Sequence, residues 1–222
     1  MLAKIDKRSF LEFEFQGEEG TGLGPTLEFY DNIADEFKKW GVKVNETIDL
    51  KMWRQATDNL LFPSPVCIRT FPQEKIKEIY DVFRLCGTIV AKAIVDDRQI
   101  DLPISPLFWN LCLGHQLSIF DYQKLDGSIF NTLAEFQIIA NKADEIEQKN
   151  LNGELKTRQL QSLTISNGSR VEDYALDFTL PCFSHIELIP GGANRDVGLE
   201  NAQDYIDLVL HYTFHESVKI QV

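Results

Sequence analysis

A glycine-rich stretch near the N-terminus is the first candidate for chemistry, because it has four glycines from Gly17 to Gly24. Glycine-rich turns that lead into a helix present backbone N–H groups and the positive end of the helix dipole to a phosphate. Here Pro25 removes one donor, no lysine follows the glycines, and Glu18 and Glu19 would repel an anion. The glycine spacing also differs from the dinucleotide-binding pattern. We therefore predict a tight turn, with a nucleotide enzyme as an alternative hypothesis.

Two histidines near the C-terminus are the candidates for metal binding. His211 and His215 are four residues apart in a segment with helical periodicity, a spacing that can bind zinc. No glutamate follows His211 to complete a metalloprotease motif, and no third ligand is indicated. We expect surface or packed histidines, with no metal and no cofactor. A metal enzyme stays open as an alternative.

The four cysteines are the candidates for nucleophilic chemistry. Because they show no C-x-x-C spacing, neither a disulfide framework nor a zinc ribbon is indicated, and we expect reduced thiols in the cytoplasm or nucleus. Cys86 and Cys112 fall on the apolar faces of predicted helices, which disfavours the thiolate that a nucleophile needs. Cys86 in particular is expected to serve as a small hydrophobic residue. The cysteines are Cys67, Cys86, Cys112 and Cys182.

Composition excludes some classes of partner. The chain has 222 residues, of which 44% are hydrophobic, so it can bury one or two compact cores. Its formal net charge of −12 opposes binding to nucleic-acid phosphates and favours a protein partner. No apolar run is long enough to span a membrane, and the N-terminus lacks the apolar stretch of a signal peptide.

Hydrophobic periodicity predicts the elements of the N-terminal half. Alternating apolar residues and glutamates predict a strand over Phe10–Phe15, and a helix follows from Pro25 to Trp40, with Gly41 as its C-terminal cap. Short extended pieces are expected between Gly41 and Phe71 because prolines exclude a long helix there. The strongest helix begins at a capping box, which pairs Thr70 with Gln73, and runs to about residue 96. At Gly87, the missing side chain would let another backbone approach this helix. The predicted apolar stripe of the helix comprises Ile76, Ile79, Tyr80, Phe83, Cys86, Gly87, Val90 and Ile94.

Helices and two strands are predicted in the C-terminal half. Short helices are expected to begin at Pro106 and Ser118. A longer helix covers about 130–150, a charged solvated face or connector covers 144–158, and Asn201 caps a final helix. Strands are predicted over 176–180 and 186–188. The fold class is therefore α+β, mostly helical, with small antiparallel β-sheets against a helical core.

Several of these motifs resemble one known family. The run GEEGTGLGPTLEFY, from Gly17 to Tyr30, resembles the opening of the HECT domain, the catalytic module of one class of ubiquitin ligases. Its GLGPTLEFY part is similar to the ubiquitin-fusion-degradation subgroup. The core-helix runs at 85–87 and 91–94, followed by the strand segments 171–178 and 186–192, resemble the same family in the same order.

The resemblance implies a place in a two-lobed transferase. Residues 1–222 would be the large subdomain of the N-terminal lobe, truncated before the subdomain that binds the conjugating enzyme and before the catalytic C-terminal lobe. In the family, a cysteine in a Thr-Cys setting accepts ubiquitin as a thioester and passes it to a substrate lysine. None of the four cysteines has that setting, so we expect the acceptor cysteine downstream of Val222 and no catalytic residue in this chain.

The resemblance also implies partners. These are ubiquitin, a ubiquitin-conjugating enzyme that binds through the missing subdomain, and protein substrates, with no nucleic acid and no membrane. The segment Gln55–Phe62 resembles the region where some HECT ligases hold a second ubiquitin non-covalently, so Leu60 and Phe62 are candidate ubiquitin-binding residues. The alternative function is a stand-alone module that binds ubiquitin or another partner without catalysis.

Overall fold

The computed structural model describes residues 13, 15–17, 23–149 and 152–222. The strand predicted over Phe10–Phe15 therefore lies largely outside the described residues, and Phe13 and Phe15 themselves have no strand geometry. Elsewhere the fold is α+β and mostly helical, as predicted. The described α-helices are α1 Leu23–Lys39, α2 Gln73–Val95, α3 Pro106–Cys112, α4 Ile119–Leu125, α5 Gly127–Gln148, α6 Gly153–Gln161 and α7 Ala202–Phe214.

The strands are short and form sheets of two. β1 pairs antiparallel with β2, β3 with β4, and β5 antiparallel with β6. Short 3-10 helices connect some of the later elements. In the described part of the chain, no helix is both long and apolar enough to cross a bilayer. The strands are β1 Gly41–Lys43, β2 Asp49–Lys51, β3 Trp53–Gln55, β4 Leu61–Pro63, β5 Thr179–Leu180 and β6 Phe183–Glu187.

Two compact units share these elements. The first unit contains residues up to Arg54, Leu60–Ser105 and Gln221, and so includes α1 and α2. The second unit contains Gln55–Asn59, Pro106–Ile220 and Val222, and so includes α3 to α7 with the β5–β6 hairpin. Each unit has its own buried apolar residues.

Helix α1 begins two residues before the predicted start at Pro25. Proline is tolerated there because the first-turn N–H groups of a helix have no helical acceptor. Gly41 does not end the helix as a cap; it starts β1, where an added Cβ would lie 2.9 Å from the carbonyl oxygen of Leu50. The close approach of β1 and β2 is therefore the reason that glycine fits at this position.

Helix α2 matches its predicted length but not its predicted face or cap. Its N-cap residue is Pro72, so the predicted capping box of Thr70 and Gln73 is wrong. Tyr80 and Ile94, predicted to face inward, are 48% and 74% exposed. A Cβ at Gly87 would meet no atom within 4 Å, so the expected close backbone approach is absent there. The residues that α2 buries are Ile76, Ile79, Phe83, Cys86, Ile89, Lys92 and Ala93.

Local capping positions the helices of the second unit. The backbone N–H of Ser118 donates to Asp121 Oδ2 at 2.9 Å and begins α4. Asp126 Oδ1 accepts from the N–H groups of Ser128 and Ile129 at 3.0 Å each, which starts α5 three residues before the predicted start. These side chains satisfy N–H groups that a helix start otherwise leaves unpaired.

The charged stretch predicted as a solvated face or connector contains the C-terminal part of α5 and the separate helix α6. Asn152 caps α6 by accepting from the N–H of Leu155 at 2.9 Å, and α6 buries none of its residues. Asn201 lies at the N-cap position of α7, but its side-chain oxygen accepts from the N–H of Gly198 at 2.8 Å.

The predicted strand pair is present, but it is shorter and shifted. β5 starts at Thr179 rather than residue 176, because the backbone before it pairs elsewhere. Phe178 N–H donates to the carbonyl oxygen of Gly192 at 3.0 Å, and Val197 N–H donates to that of Leu176 at 2.8 Å. The partner strand β6 begins three residues before the predicted start, since a turn of only two residues joins it to β5.

Candidate functional site

The first pair of cysteines is buried. Cys67 and Cys86 are 7% and 3% exposed. Burial raises the pKa of the Cys86 thiol to about 12, because the interior disfavours the charged thiolate. The prediction that Cys86 acts as a small hydrophobic residue on α2 is confirmed. Neither thiol is placed to attack an incoming thioester.

The second pair of cysteines is exposed. The prediction that Cys112 faces inward is wrong, since it lies at the exposed C-terminal end of α3. Partial burial of its thiol still raises its pKa, and a backbone hydrogen bond offsets only part of this effect. Cys182 lies in the turn between β5 and β6, where its backbone adopts a left-handed conformation with a φ of 66°. The sequence did not indicate this unusual position.

The two histidines of α7 stack against each other on an exposed face. The ring centroids of His211 and His215 are 5.7 Å apart, and the planes are inclined by 30°. Both residues are exposed, as expected. Across the described ranges, no group of three or more histidine, cysteine or acidic side chains is arranged to hold a metal ion.

A buried ion pair in the first unit was not predicted. Lys92 Nζ donates to Asp96 Oδ1 at 2.7 Å, and the two side chains are 4% and 3% exposed. The hydroxyl of Tyr30 on α1 donates to Asp96 Oδ2 at 3.5 Å. Burial raises the pKa of Tyr30, and the charge of Asp96 raises it further. The cluster links α1 to the C-terminal end of α2.

The spacing of Lys92 and Asp96 could have indicated this pair. Residues four apart on a helix are neighbours, and a lysine with an aspartate at that distance can form an ion pair. Burial was not evident from the sequence, because charged side chains are usually solvated. Since Lys92 and Asp96 are almost fully enclosed, the cluster is an internal contact of the first unit and offers no surface to a substrate.

The two candidate ubiquitin-binding residues differ in exposure. Phe62 on β4 is fully buried, and the guanidinium of Arg54 lies 5.2 Å from its ring centroid. Its side chain therefore offers no surface to a partner in this conformation, and a ubiquitin contact of Phe62 stays a prediction. Leu60 lies directly before β4 and is half-buried, so its ubiquitin contact stays a prediction.

Strand β4 is held on its other side by a second segment. The N–H of Leu61 donates to the carbonyl oxygen of Pro103 at 2.8 Å, and the N–H of Ser105 donates to that of Leu61 at 2.8 Å. These bonds fix the backbone directly after Leu60. The half-buried Leu60 side chain therefore lies beside a rigid strand rather than within a free loop.

Comparison with known proteins gives a consistent result. The family described as HECT-domain (ubiquitin-transferase) matches residues 43–222. E3 ubiquitin-protein ligase TRIP12 of Danio rerio is 34% identical over 95% of this chain and 11% of its own length. E3 ubiquitin-protein ligase UPL4 of Arabidopsis thaliana is 31% identical over 98% of this chain and 14% of its own length.

A yeast relative has the name that the N-terminal motif suggested. Ubiquitin fusion degradation protein 4 of Saccharomyces cerevisiae is 28% identical over 96% of this chain and 14% of its own length. The chain thus spans between a tenth and a seventh of the length of these relatives.

Proposed function

The chain belongs to the HECT-domain (ubiquitin-transferase) family, and on that premise we propose that it is a non-catalytic part of a ubiquitin-protein ligase. Residues 1–222 would form the large subdomain of the N-terminal lobe and act as a scaffold. The whole ligase would take ubiquitin from a conjugating enzyme and transfer it to substrate lysines, in the cytoplasm or nucleus. The family match over 43–222 is the observation that supports this proposal most.

The environments of Cys86 and Cys112 fit a scaffold role rather than a catalytic one. A cysteine that accepts ubiquitin must be accessible and must reach the thiolate state near neutral pH. Cys86 is buried with a pKa of about 12, and the pKa of Cys112 is also raised. In this proposal, the acceptor cysteine of the ligase lies outside these residues.

A thioester assay tests the proposed division of labour. The 222-residue chain, incubated with activating enzyme, conjugating enzyme, ubiquitin and ATP, should form no adduct that a reducing agent removes. A chimera in which this chain replaces the matching segment of the yeast relative should still transfer ubiquitin. The matched control is the yeast protein with that segment deleted. A reductant-sensitive adduct on the chain alone, or an inactive but folded chimera, would contradict the proposal.

We also propose that Leu60 contributes to a non-covalent ubiquitin contact of the first unit. Its half-buried side chain offers apolar surface beside the rigid strand β4. Isotope-labelled ubiquitin, titrated with the chain, should show chemical-shift changes that Leu60→Ala weakens severalfold. Phe120→Ala is the matched control, because Phe120 is an apolar residue that is 73% exposed in the second unit. Unchanged ubiquitin shifts with the unmodified chain would dispose of this contact and leave the scaffold proposal intact.

A further inference from the structure

A cleft in the second unit is not used by the proposed ligase role. It has a volume of about 440 Å³ and lies between the first turns of α5 and the segment around the β5–β6 hairpin. That volume falls within the range of pockets that bind small molecules. We call it the Tyr205 cleft. Its apolar lining includes Ile129, Leu133, Leu176, Leu180 and Pro181.

Tyr205 on α7 supplies a polar group to this apolar lining. Its side chain is 2% exposed, packs edge-on against Phe178 with ring centroids 5.6 Å apart, and lines the cleft. Within the described residues, its hydroxyl makes no hydrogen bond to the protein, and the oxygen is not fully enclosed, so it contacts the solvent in the cleft. An acceptor on a bound ligand can replace that solvent as the partner of the hydroxyl.

The phenol is a neutral donor over the physiological pH range. Burial raises the pKa of Tyr205 far above its ordinary value, and the nearby Tyr122, Asp177 and Cys182 raise it further. The Oδ1 atom of Asp177 is already engaged, since it accepts from both the N–H and the hydroxyl of Thr179. The hydroxyl of Tyr205 is therefore available to a ligand oxygen.

Cys182 provides a nucleophile at the edge of the same cleft. It lines the cleft, is exposed, and forms the second residue of the Pro181–Cys182 turn. Its φ of 66° is a conformation in which glycine is the relaxed residue, so a cysteine there is unusual. The thiol can thus be reached by a molecule that occupies the cleft.

We propose that the Tyr205 cleft binds a small, largely apolar ligand whose oxygen accepts a hydrogen bond from Tyr205, and that Cys182 forms a thioether with α,β-unsaturated carbonyl members of this ligand class. The apolar lining selects the body of the ligand. The Tyr205 hydroxyl selects its carbonyl oxygen.

The covalent step is a conjugate addition. Sγ of Cys182, after losing its proton to solvent, attacks the β-carbon of the ligand and forms an S–C bond. The π bond between the α- and β-carbons breaks, and its electron pair moves to the carbonyl oxygen, which the Tyr205 hydroxyl stabilises. The α-carbon then takes a proton from solvent, and no oxidant or reductant is needed.

Two electrophiles of different size and polarity test the proposal on the intact chain. N-phenylmaleimide is apolar and fits the class, whereas acrylamide is small and polar. Cys112 is the internal control, because it is exposed but does not line the cleft. Peptide mass spectrometry measures the labelling rate of Cys182 divided by that of Cys112 for each reagent. This ratio should be about tenfold higher for N-phenylmaleimide than for acrylamide, because the cleft buries the phenyl ring. Equal ratios for the two reagents would overturn the proposal.

A variant tests the hydroxyl. Tyr205→Phe should lower the N-phenylmaleimide ratio by about fivefold, the effect of one hydrogen bond, without changing labelling of Cys112. Tyr212→Phe is the matched control, because Tyr212 lies on the same helix and is similarly buried but does not line the cleft. An unchanged ratio in a folded Tyr205→Phe variant would contradict the role of this hydroxyl.

A protection experiment does not depend on any variant being folded. N-phenylsuccinimide has the shape and oxygens of the maleimide but no reactive double bond. At a saturating concentration, it should slow acrylamide labelling of Cys182 at least threefold and leave Cys112 unaffected. Absence of protection at the solubility limit would count against a binding cleft.

Discussion

The cores of the two units treat polar groups differently. The first unit encloses a charged pair, Lys92 and Asp96, with the Tyr30 hydroxyl beside it. The corresponding polar contact in the second unit is neutral: the hydroxyl of Thr213 donates to that of Tyr122 at 3.5 Å, with both residues buried. Around it, aromatic rings pack edge to face, as Tyr122 does with Phe214.

This difference indicates where each unit is vulnerable. A buried ion pair often adds little net stability, but removal of one partner leaves an uncompensated charge in a low-dielectric interior. A neutral hydroxyl pair leaves a much smaller penalty when one partner is lost. The first unit should therefore be sensitive to loss of charge balance, and the second unit to changes in packing.

The largest expected effect comes from removing one charge of the buried pair. Lys92→Met should lower the free energy of unfolding by about 3–5 kcal/mol, because Asp96 is left buried without its cation. Urea unfolding followed by circular dichroism measures the loss, and hydrogen exchange should be faster in α2. Thr213→Val is the matched change in the second unit and should cost about 1 kcal/mol.

A double variant sharpens this test. Lys92→Met combined with Asp96→Leu replaces the pair with apolar side chains and should recover part of the stability lost by Lys92→Met, because the Tyr30 hydroxyl also loses its acceptor. If Lys92→Met costs no more than Thr213→Val, the contrast between the two cores is wrong.

The next effect is steric and lies in the second unit. A Cβ at Gly192 would lie 2.3 Å from the carbonyl oxygen of Phe178, a distance that the backbone must relieve by moving. Gly192→Ala should therefore lower the free energy of unfolding by about 3 kcal/mol, the upper end for overpacking. Gly87→Ala is the control in the first unit: it meets no atom and should stabilise α2 by up to about 1 kcal/mol. Thermal unfolding midpoints that shift in the same direction for both variants would refute this reasoning.

The smallest effect concerns alkaline pH and the first unit. The pKa of Cys86 rises from 9.0 to about 12 on folding. Its neutral thiol therefore contributes stability that is fully present below pH 9 and is lost as the pH rises towards 12. Between pH 8 and 10.5 this loss amounts to about 2 kcal/mol, at about 1.4 kcal/mol for each pKa unit.

Urea titrations at pH 8 and 10.5 check the contribution of Cys86. Between these two pH values, the free energy of unfolding of Cys86→Ala should fall by about 2 kcal/mol less than that of the unmodified chain. Thr88→Ala is the control at an exposed position of the same helix and should leave the pH dependence unchanged, because threonine does not titrate in this range. Identical pH dependence in Cys86→Ala and the unmodified chain would show that the thiol does not limit alkaline stability.

Prediction of the candidate site from the sequence was less complete than prediction of the fold. The family resemblance identified the ubiquitin-ligase context and directed attention to Leu60 and Phe62, but the structure buries Phe62 completely. The Tyr205 cleft was not predicted. It depends on α5, the β5–β6 turn and α7 meeting around one space, and these elements are far apart along the chain.

Local chemistry in the sequence determined where several helices begin. Pro106 starts α3, Ser118 with Asp121 starts α4, and Asp126 starts α5, because each cap or first-turn residue acts on neighbours within three positions. Periodicity likewise determined the length of α2 to within about one residue at its C-terminal end. Such interactions are complete within a short segment and do not require the rest of the fold.

Tertiary structure alone decided which faces and side chains are buried. It turned Tyr80 and Ile94 towards solvent, enclosed Lys92 with its aspartate, and exposed Cys112. The physical reason is that burial depends on distant segments that remove water from a surface, whereas a helical pattern specifies only which residues share a face.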